Sequence, residues 1–215
     1  MNPVIQPLGD TALVLSVSAT LEDQRRLWIM QKLLQQQFPA WWVVLGVGNL
    51  TVRFDPMIED ASVIEHGIEL AWQRSQKRME VASRHHDVPV VYGGKAGPDL
   101  ARVAEHAGIS PAQVVERHAA AQYVVFCIGF LPGFPYLGGL DPQLATPRLD
   151  KPRIKVPAGA VGIGGAQTGI YPSASPGGWN LIGHTDLRLF NPAMIPPALL
   201  APGDTLRFVP TEVRA

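Results

Sequence analysis

Cysteine is nearly absent from the chain, with Cys127 alone among 215 residues. A single thiol cannot form an internal disulfide or a multi-cysteine metal site, so a disulfide-stapled fold is excluded. Cys127 lies inside the apolar run YVVFCI, where an unreactive buried thiol is expected. The composition therefore favours a reducing compartment, and we expect a cytoplasmic protein.

A surplus of charge is also missing, because 18 basic and 18 acidic residues cancel. The chain thus lacks the basic excess that would indicate nucleic acid or an anionic membrane as a partner. Two stretches without Asp, Glu, Lys or Arg, Ala119–Leu140 and Val156–Thr185, are interrupted by glycine and proline. They differ in this from a membrane-spanning helix of roughly 20 apolar residues. The N-terminus has no charged segment followed by an apolar one, so no signal peptide is expected.

The common nucleotide, metal and nucleophile signatures are missing as well. No GxxxxGK[ST] loop occurs, and the glycine-rich Gly159–Gly165 (GAVGIGG) has no predicted helix after it, so neither a P-loop nor a Rossmann site is indicated. His85 and His86 are adjacent and no second cysteine exists, so we expect no protein-bound metal. Ser173 and Ser175 lack the strand–turn–helix context of a nucleophilic serine.

Glycine and proline, by contrast, are abundant, with 21 and 20 residues that concentrate in the second half of the chain. Because glycine permits positive φ and proline fixes φ, this half is expected to form short strands joined by tight turns. Two short helices come first, Asp99–His106, which Asp99 is expected to cap, and Pro111–Ala121, capped by Ser110. The strands that follow predict a β-barrel or sandwich; the clearest are Tyr123–Ile128, Arg153–Val156, Val161–Ile163, Leu187–Phe190 and Thr205–Val209.

The first half reads as longer elements in the order β-α-β-β-α-β, which is that of a ferredoxin-like split βαβ unit. Thr20 is expected to cap the first helix, and the second helix is expected from about residue 58 to 79. The predicted strands are Thr11–Ser18, the hairpin of Trp41–Leu45 and Leu50–Phe54, and finally Val88–Tyr92. The polar segment after Met79 is the expected boundary between a domain of residues 1–84 and a second domain of residues 85–215.

A few polar side chains among the glycines are candidates for a binding site. Arg148 and Arg153 each offer a planar fork that can grip a carboxylate or phosphate. Gln167, Thr168 and Tyr171 can exchange hydrogen bonds with an amide, and His184 can act as acid, base or anion donor. Each residue type has an ordinary alternative: loop arginines are often solvated, turn amides satisfy backbone groups, and a strand histidine can be part of the core.

Five blocks of the second half resemble a known family. They are Val91–Leu100 (VYGGKAGPDL), Gly129–Leu137 (GFLPGFPYL), Thr146–Gly159 (TPRLDKPRIKVPAG), Gly164–Pro172 (GGAQTGIYP) and Ser175–Thr185 (SPGGWNLIGHT). The family comprises B subunits of bacterial 5-oxoprolinase, KipI-type kinase inhibitors and allophanate-hydrolase subunit 1 proteins. Weaker similarities near the N-terminus extend the resemblance to nearly the whole chain.

The resemblance implies an α+β fold, with an N-terminal ferredoxin-like domain followed by a C-terminal cyclophilin-like β-barrel. It also implies a heteromeric enzyme in which the A, B and C subunits together cleave 5-oxo-L-proline (pyroglutamate) to L-glutamate with ATP and, we expect, Mg²⁺. The B subunit pairs tightly with the C subunit and is expected to be inactive alone. The motif blocks include Arg148, Arg153, Gln167, Tyr171 and His184, and His118 matches a further family position.

The chemistry of a lactam suggests roles for these residues. Phosphoryl transfer to the amide oxygen needs cations that neutralise spreading charge and donors aimed at that oxygen. We expect the catalytic candidates to be Arg153 and His184, and the backbone N–H donors to be those of Gly164 and Gly165. The substrate-binding candidates are Arg148, Gln167, Thr168, Tyr171 and His118.

Two other functions remain open at this point. As a kinase inhibitor, the barrel would be a docking module in which Gly133–Leu137 and Tyr171 form a peptide groove. As a relative of allophanate hydrolase, the chain would act on a urea-derived amide. The sequence blocks do not separate these functions from lactam cleavage, because the whole family shares them.

Overall fold

The computed structural model describes residues 3–76 and 83–214, which fall into two units, Met1–Ala82 and Ser83–Ala215. Arg84, which the sequence prediction included in the first domain (residues 1–84), belongs to the second unit. Its backbone N–H donates to Asp204 Oδ1 at 2.9 Å, and its guanidinium donates to Asp204 Oδ2 at 2.7 Å.

The first unit is a four-stranded antiparallel sheet with two helices packed on one face. Side chains cap both helices: Thr20 Oγ1 accepts from the N–H of Asp23, as predicted, and Asp60 Oδ1 accepts from the N–H of Ser62 at the start of the second helix, three residues later than expected. The sheet order is β1-β2-β4-β3. The elements are β1 (Val4–Pro7), β2 (Ala12–Ser16), α1 (Leu21–Gln37), β3 (Trp42–Leu45), β4 (Asn49–Arg53) and α2 (Ala61–Arg74).

The complete ferredoxin-like arrangement is not confirmed. Its predicted last strand, Val88–Tyr92, lies in β5 (His85–Gly93), which belongs to the second unit and pairs there with two barrel strands. The sheet position beside β2 is occupied by β1, with Val4 opposite Ser16. Pairing β2 with β1, a few residues away, closes a much shorter loop than pairing it with a strand more than 70 residues away. The entropy lost on closing the loop is therefore smaller. The last residues of the predicted second helix, 77–79, lie outside the described residues.

The second unit contains a closed barrel of seven strands in the order β10-β7-β6-β13-β5-β12-β9, so the predicted barrel is confirmed. The strands β8 and β11 form a separate two-stranded ribbon. The predicted strand Leu187–Phe190 is absent, and only a single bridge joins Phe190 to Ala198. After β5, the elements are α3 (Leu100–Ala107), α4 (Pro111–Ala120), β6 (Tyr123–Ile128), β7 (Pro135–Gly138), β8 (Arg153–Val156), β9 (Ala160–Gly164), β10 (Gln167–Ile170), β11 (Ser175–Gly177), β12 (Asn180–His184) and β13 (Thr205–Arg214).

The glycine-rich strands β9 and β10 have two different faces. Alternate residues such as Val161 and Ile163 point into the main core of the barrel. Gly162, Gly164 and Gly169 point to the opposite face, where aromatic rings lie directly on the backbone. A Cβ at position 164 would come within 2.5 Å of the Trp179 indole nitrogen, so only glycine fits there. The glycines thus provide a flat outer surface for a second apolar cluster.

No helix in the described ranges, residues 3–76 and 83–214, has the length and hydropathy needed to cross a membrane.

Candidate functional site

Aromatic side chains and two arginines gather on the flat glycine face of the barrel. We call this group the arginine–aromatic cluster; its members are Phe134, Tyr136, Arg148, Arg153, Tyr171 and Trp179. The rings meet edge to face: the Phe134 centroid lies 5.4 Å from that of Trp179 and 5.2 Å from that of Tyr171. Such contacts are the favoured arrangement for aromatic pairs. The cluster is therefore a rigid apolar base on which charged groups can be held.

Arg153 is the most constrained charged group of the cluster. It lies on β8 opposite Gly177, and its Nη2 donates to Asp99 Oδ1 at 2.6 Å. The other oxygen of Asp99 accepts the backbone N–H of Leu181 at 2.7 Å, which fixes the carboxylate on β12. The Arg153 Nη1 atom is buried and has no hydrogen-bond partner. Buried polar groups are nearly always paired, so this donor is a candidate for binding a ligand.

The part that Asp99 plays in this arrangement differs from the one expected from the sequence. Asp99 was expected to cap α3, but its side chain makes no capping hydrogen bond. Instead its carboxylate joins the start of α3 to β12 and to Arg153. The acidic residue within the Val91–Leu100 block was the available signal, but sequence does not show which distant cation it meets.

Arg148 supplies the second positive charge. Its guanidinium carbon lies 5.9 Å from the ring centroid of Trp179, within the range of a cation–π contact. Asn180 fixes the residue before Arg148, because its side-chain amide donates to the carbonyl of Pro147 at 2.9 Å. Arg102 in turn donates to the Asn180 side-chain oxygen at 3.0 Å. Neither Asn180 nor Arg102 was identified from the sequence.

The two tyrosines of the cluster stay protonated near neutral pH. Burial raises the pKa of Tyr171, and this outweighs a backbone hydrogen bond from Trp179 and the nearby positive charges of Arg148 and Arg153, which lower it. Burial is also the main cause that raises the pKa of Tyr136. The site thus combines two cations with neutral phenols, an arrangement suited to a small anion with an apolar body.

Gln167 lies at the start of β10, opposite Gly164 on β9. Its side-chain Nε2 is buried without a hydrogen-bond partner, as expected for a donor available to a ligand. Of the two predicted backbone donors, Gly165 is not free, because its N–H donates to the carbonyl of Thr146 at 2.8 Å. Gly164 is buried under Trp179.

His118 and Thr168 are brought together, but inside the barrel rather than at its surface. Both are fully buried. The Thr168 hydroxyl donates to the carbonyl of Gly162, so it accepts from His118 Nε2 at 2.9 Å. The remaining ring nitrogen, Nδ1, then accepts the Tyr92 hydroxyl at 2.7 Å. Since all these groups are satisfied within the core, we correct their expected place: they lie inside the barrel and not on the face of the arginine–aromatic cluster.

The pKa of His118 supports this correction. Burial lowers it to about 3, so the ring is neutral at physiological pH and acts as one donor and one acceptor. The same effect raises the pKa of Cys127 to about 12, as expected for a buried thiol that does not react.

His184 lies at the far end of β12 from Asn180, opposite Val91 and Ala160. Its Nε2 is 3.2 Å from Asp186 Oδ1, and its ring packs against Gly159. Of the predicted site residues, the structure therefore brings together Arg148, Arg153 and Tyr171 and pairs His184 with Asp186 instead.

Two clefts occur away from the cluster. One of about 360 Å³ lies on the first unit and is lined by Pro3, Ile5, Leu15, Glu65, Glu69, Trp72 and Gln73. The other, of about 340 Å³, is lined by His85, Asp87, Ala120, Ala121, Gln122 and Arg207. We favour the cluster over both because its Arg153 Nη1 is a buried donor without a hydrogen-bond partner, as expected where a ligand binds. Within residues 3–76 and 83–214, no three His, Cys, Asp or Glu side chains lie close enough to hold a metal ion.

Comparison with known proteins places the chain in a family. Residues 3–200 match the family described as carboxyltransferase domain, subdomain C and D. The B subunit of 5-oxoprolinase from Escherichia coli O157:H7 is 50% identical over 208 residues, which cover 95% of this chain and 94% of that protein.

Solved structures share the fold. The structure of TTHA0988 has a TM-score of 0.77 and 32% identity; the match covers 97% of this chain but only 40% of that longer one. The urea amidolyase of K. lactis has a TM-score of 0.82 at 20% identity, over 98% of this chain and 15% of that protein, and indicates the fold alone. With half of its residues identical over nearly the full length of a named relative, the chain belongs to the family of 5-oxoprolinase B subunits, and its residues 3–200 match the carboxyltransferase subdomain C and D family.

Proposed function

We propose that this chain is a subunit of an ATP-dependent 5-oxoprolinase that opens 5-oxo-L-proline to L-glutamate. It would work in the cytoplasm as the tight partner of a C subunit, together with an A subunit, and would be inactive alone. Its arginine–aromatic cluster would bind the anionic substrate. The observation that carries the proposal is Arg153, held on one side by Asp99 and with a buried, unpartnered Nη1 on the other.

The substrate has the shape and charge that the cluster offers. 5-Oxoproline is a small apolar ring with a carboxylate and an amide. A guanidinium matches a carboxylate or a phosphoryl group equally well, so Arg148 and Arg153 can serve either. The Gln167 amide, with its unpaired Nε2, can donate to the lactam oxygen.

Lactam opening at neutral pH requires activation, and ATP can supply it. In our scheme the amide oxygen accepts the γ-phosphoryl group and ADP leaves. Water then attacks the activated carbon, and the ring C–N bond breaks, with the nitrogen leaving as the amine of glutamate. A second water releases phosphate. The role of Arg153 would be to neutralise charge that develops on the phosphoryl oxygens, and Mg²⁺ would enter with ATP.

The Arg153→Ala variant tests this proposal. In a mixture with the A and C subunits, we expect ATP-dependent glutamate release to fall at least a hundredfold, as when one charge-stabilising donor is removed, a loss of about 2.7–4 kcal/mol. Arg188→Ala is the matched control, because Arg188 is an exposed arginine of the same unit whose bond goes to the carbonyl of Phe190. Near-normal turnover of a folded Arg153→Ala protein that still pairs with the C subunit would refute the role.

The alternative functions stay predictions that the same mixture addresses. A urea-derived amide as substrate would show as turnover of that amide in place of 5-oxoproline. A kinase inhibitor would leave glutamate release unaffected by the presence of this chain. The partial match to the urea amidolyase of Saccharomyces cerevisiae, 34% identical over 113 residues that cover 49% of this chain and 6% of that protein, favours the amide over the kinase as the second candidate.

A further inference from the structure

Phe130 is the one residue other than glycine in the described chain with a positive φ, at 65°. The N–H of Leu131 donates to the carbonyl of Gly129 at 2.7 Å, so Phe130 is the centre of a γ-turn. With φ positive, this is the rarer and more strained form of that turn. A side chain with a Cβ is disfavoured here, although glycines stand on either side at positions 129 and 133.

The surrounding loop holds the strained conformation in place. The N–H of Gly129 donates to the carbonyl of Phe134 at 3.1 Å, and the N–H of Phe134 donates to the carbonyl of Leu131 at 3.0 Å. Both ends of the loop are thus closed by backbone hydrogen bonds around Phe130. Strain of this kind persists only where neighbouring structure enforces it, and it occurs preferentially at functional sites.

The effect of the turn is to place a large aromatic ring at the rim of the arginine–aromatic cluster. The Phe130 ring is edge-on to Phe134 at 5.5 Å and to Tyr171 at 6.4 Å between centroids. Yet 60% of the residue remains exposed. Burial of the Phe130 ring within this chain therefore offsets only part of the energetic cost of the strained turn. Tyr171, which the Phe130 ring faces edge-on, is also close enough to Arg148 and Arg153 for their charges to lower its pKa, so Phe130 and the two arginines share this tyrosine as a neighbour.

We propose that Phe130 is a specificity-determining residue, whose ring forms the apolar wall against which a five-membered lactam ring packs. This inference rests on the proposed function and adds the basis for selecting ring size. The wall would accept the flat, compact ring of 5-oxo-L-proline and exclude a larger cyclic amide. The arginines would hold the carboxylate, while Phe130 would limit the space for the carbons.

Substitution of Phe130 separates this role from a structural one. Phe130→Gly removes the ring and also the strain, so the thermal unfolding temperature of the purified chain should stay the same or rise. In the complete mixture, the KM for 5-oxo-L-proline should rise about tenfold, since an apolar pocket contact discriminates by roughly 10–200-fold, and kcat should change less. Relative to 5-oxo-L-proline, turnover of the six-membered homologue 6-oxopiperidine-2-carboxylate should increase. Phe130→Leu should show intermediate values.

Met194→Ala is the matched control, because Met194 is a similarly exposed apolar residue of the same unit, 58% accessible. Its KM and ring-size preference should equal those of the wild type. The inference is overturned if Phe130→Gly keeps the wild-type KM and ring-size preference, or if its unfolding temperature falls. It is also overturned if the variant no longer copurifies with the C subunit, because Phe130 would then be a contact between subunits. A wild-type mixture that releases no glutamate would instead contradict the proposed function itself.

Discussion

Individual residues in this chain show that a buried polar side chain can belong either to a binding site or to the core. Arg153 has a donor left over after its ion pair with Asp99, whereas His118 has none after its bonds to Tyr92 and Thr168. An unsatisfied buried donor is costly unless a ligand completes it, while a satisfied network stabilises the fold. The distinction between site and core is therefore made by hydrogen-bond accounting rather than by residue type.

Because His118 is buried as the neutral form, its pKa predicts how stability depends on pH. Burial lowers the folded-state pKa to about 3, below the unfolded value of 6.5. Between these values the unfolded chain binds the extra proton, so stability falls as pH decreases, by up to about 1.4 kcal/mol per pH unit. From pH 6.5 to pH 5 the free energy of unfolding should drop by about 1.6 kcal/mol, as measured by denaturant titration of the purified chain.

His118→Asn should reduce this pH slope, even though the variant is less stable overall. Carboxylates with lowered pKa values add little in this window, since Asp204 and Glu212 lose their contribution near and below their ordinary pKa values of 3.8 and 4.5. His66→Asn, which changes an exposed histidine of α2, is the control and should keep the slope. An unchanged slope in His118→Asn would show that His118 is not the group responsible.

At the scale of elements, the glycine face of β9 and β10 positions the cluster. Gly164→Ala would place a Cβ against the ring of Trp179, which makes the cation–π contact with Arg148. Overpacking of this kind destabilises by about 1–3 kcal/mol, and displacement of Trp179 should also lower turnover. Gly129→Ala is the control, because its Cβ would meet Tyr136 at an ordinary 3.7 Å. Equal unfolding free energies for the two variants would contradict the packing role of the glycine face.

The sequence predicted those elements whose signals are local. Ser110 caps α4 through a capping box, and the strands Tyr123–Ile128 and Arg153–Val156 have the predicted limits. The destination of Val88–Tyr92 was wrong, because its alternating apolar pattern fits either a sheet or a barrel and only long-range pairing decides between them. The site is subject to the same limitation, because its contacts are also between residues far apart in the sequence. The sequence named Arg148, Arg153 and Tyr171 of the cluster as candidates, but not Trp179. Which polar side chains face the core, as Thr168 does, depends on the barrel.

At the scale of the whole molecule, the chain is two units whose family includes longer proteins. It spans 94% of the E. coli O157:H7 relative but 40% of TTHA0988, so the same fold occurs both nearly alone and within a larger chain. This agrees with a protein that acts beside other domains or subunits. The activity is therefore expected from an assembly, with this chain supplying the arginine–aromatic cluster.

The most direct measurement is ATP-dependent glutamate release from 5-oxo-L-proline by this chain mixed with the A and C subunits, each omitted in turn. We expect release only from the complete mixture, and none from this chain alone or without ATP. Equal release in the absence of this chain, or a silent complete mixture made from folded subunits, would contradict its assignment as a subunit of the enzyme.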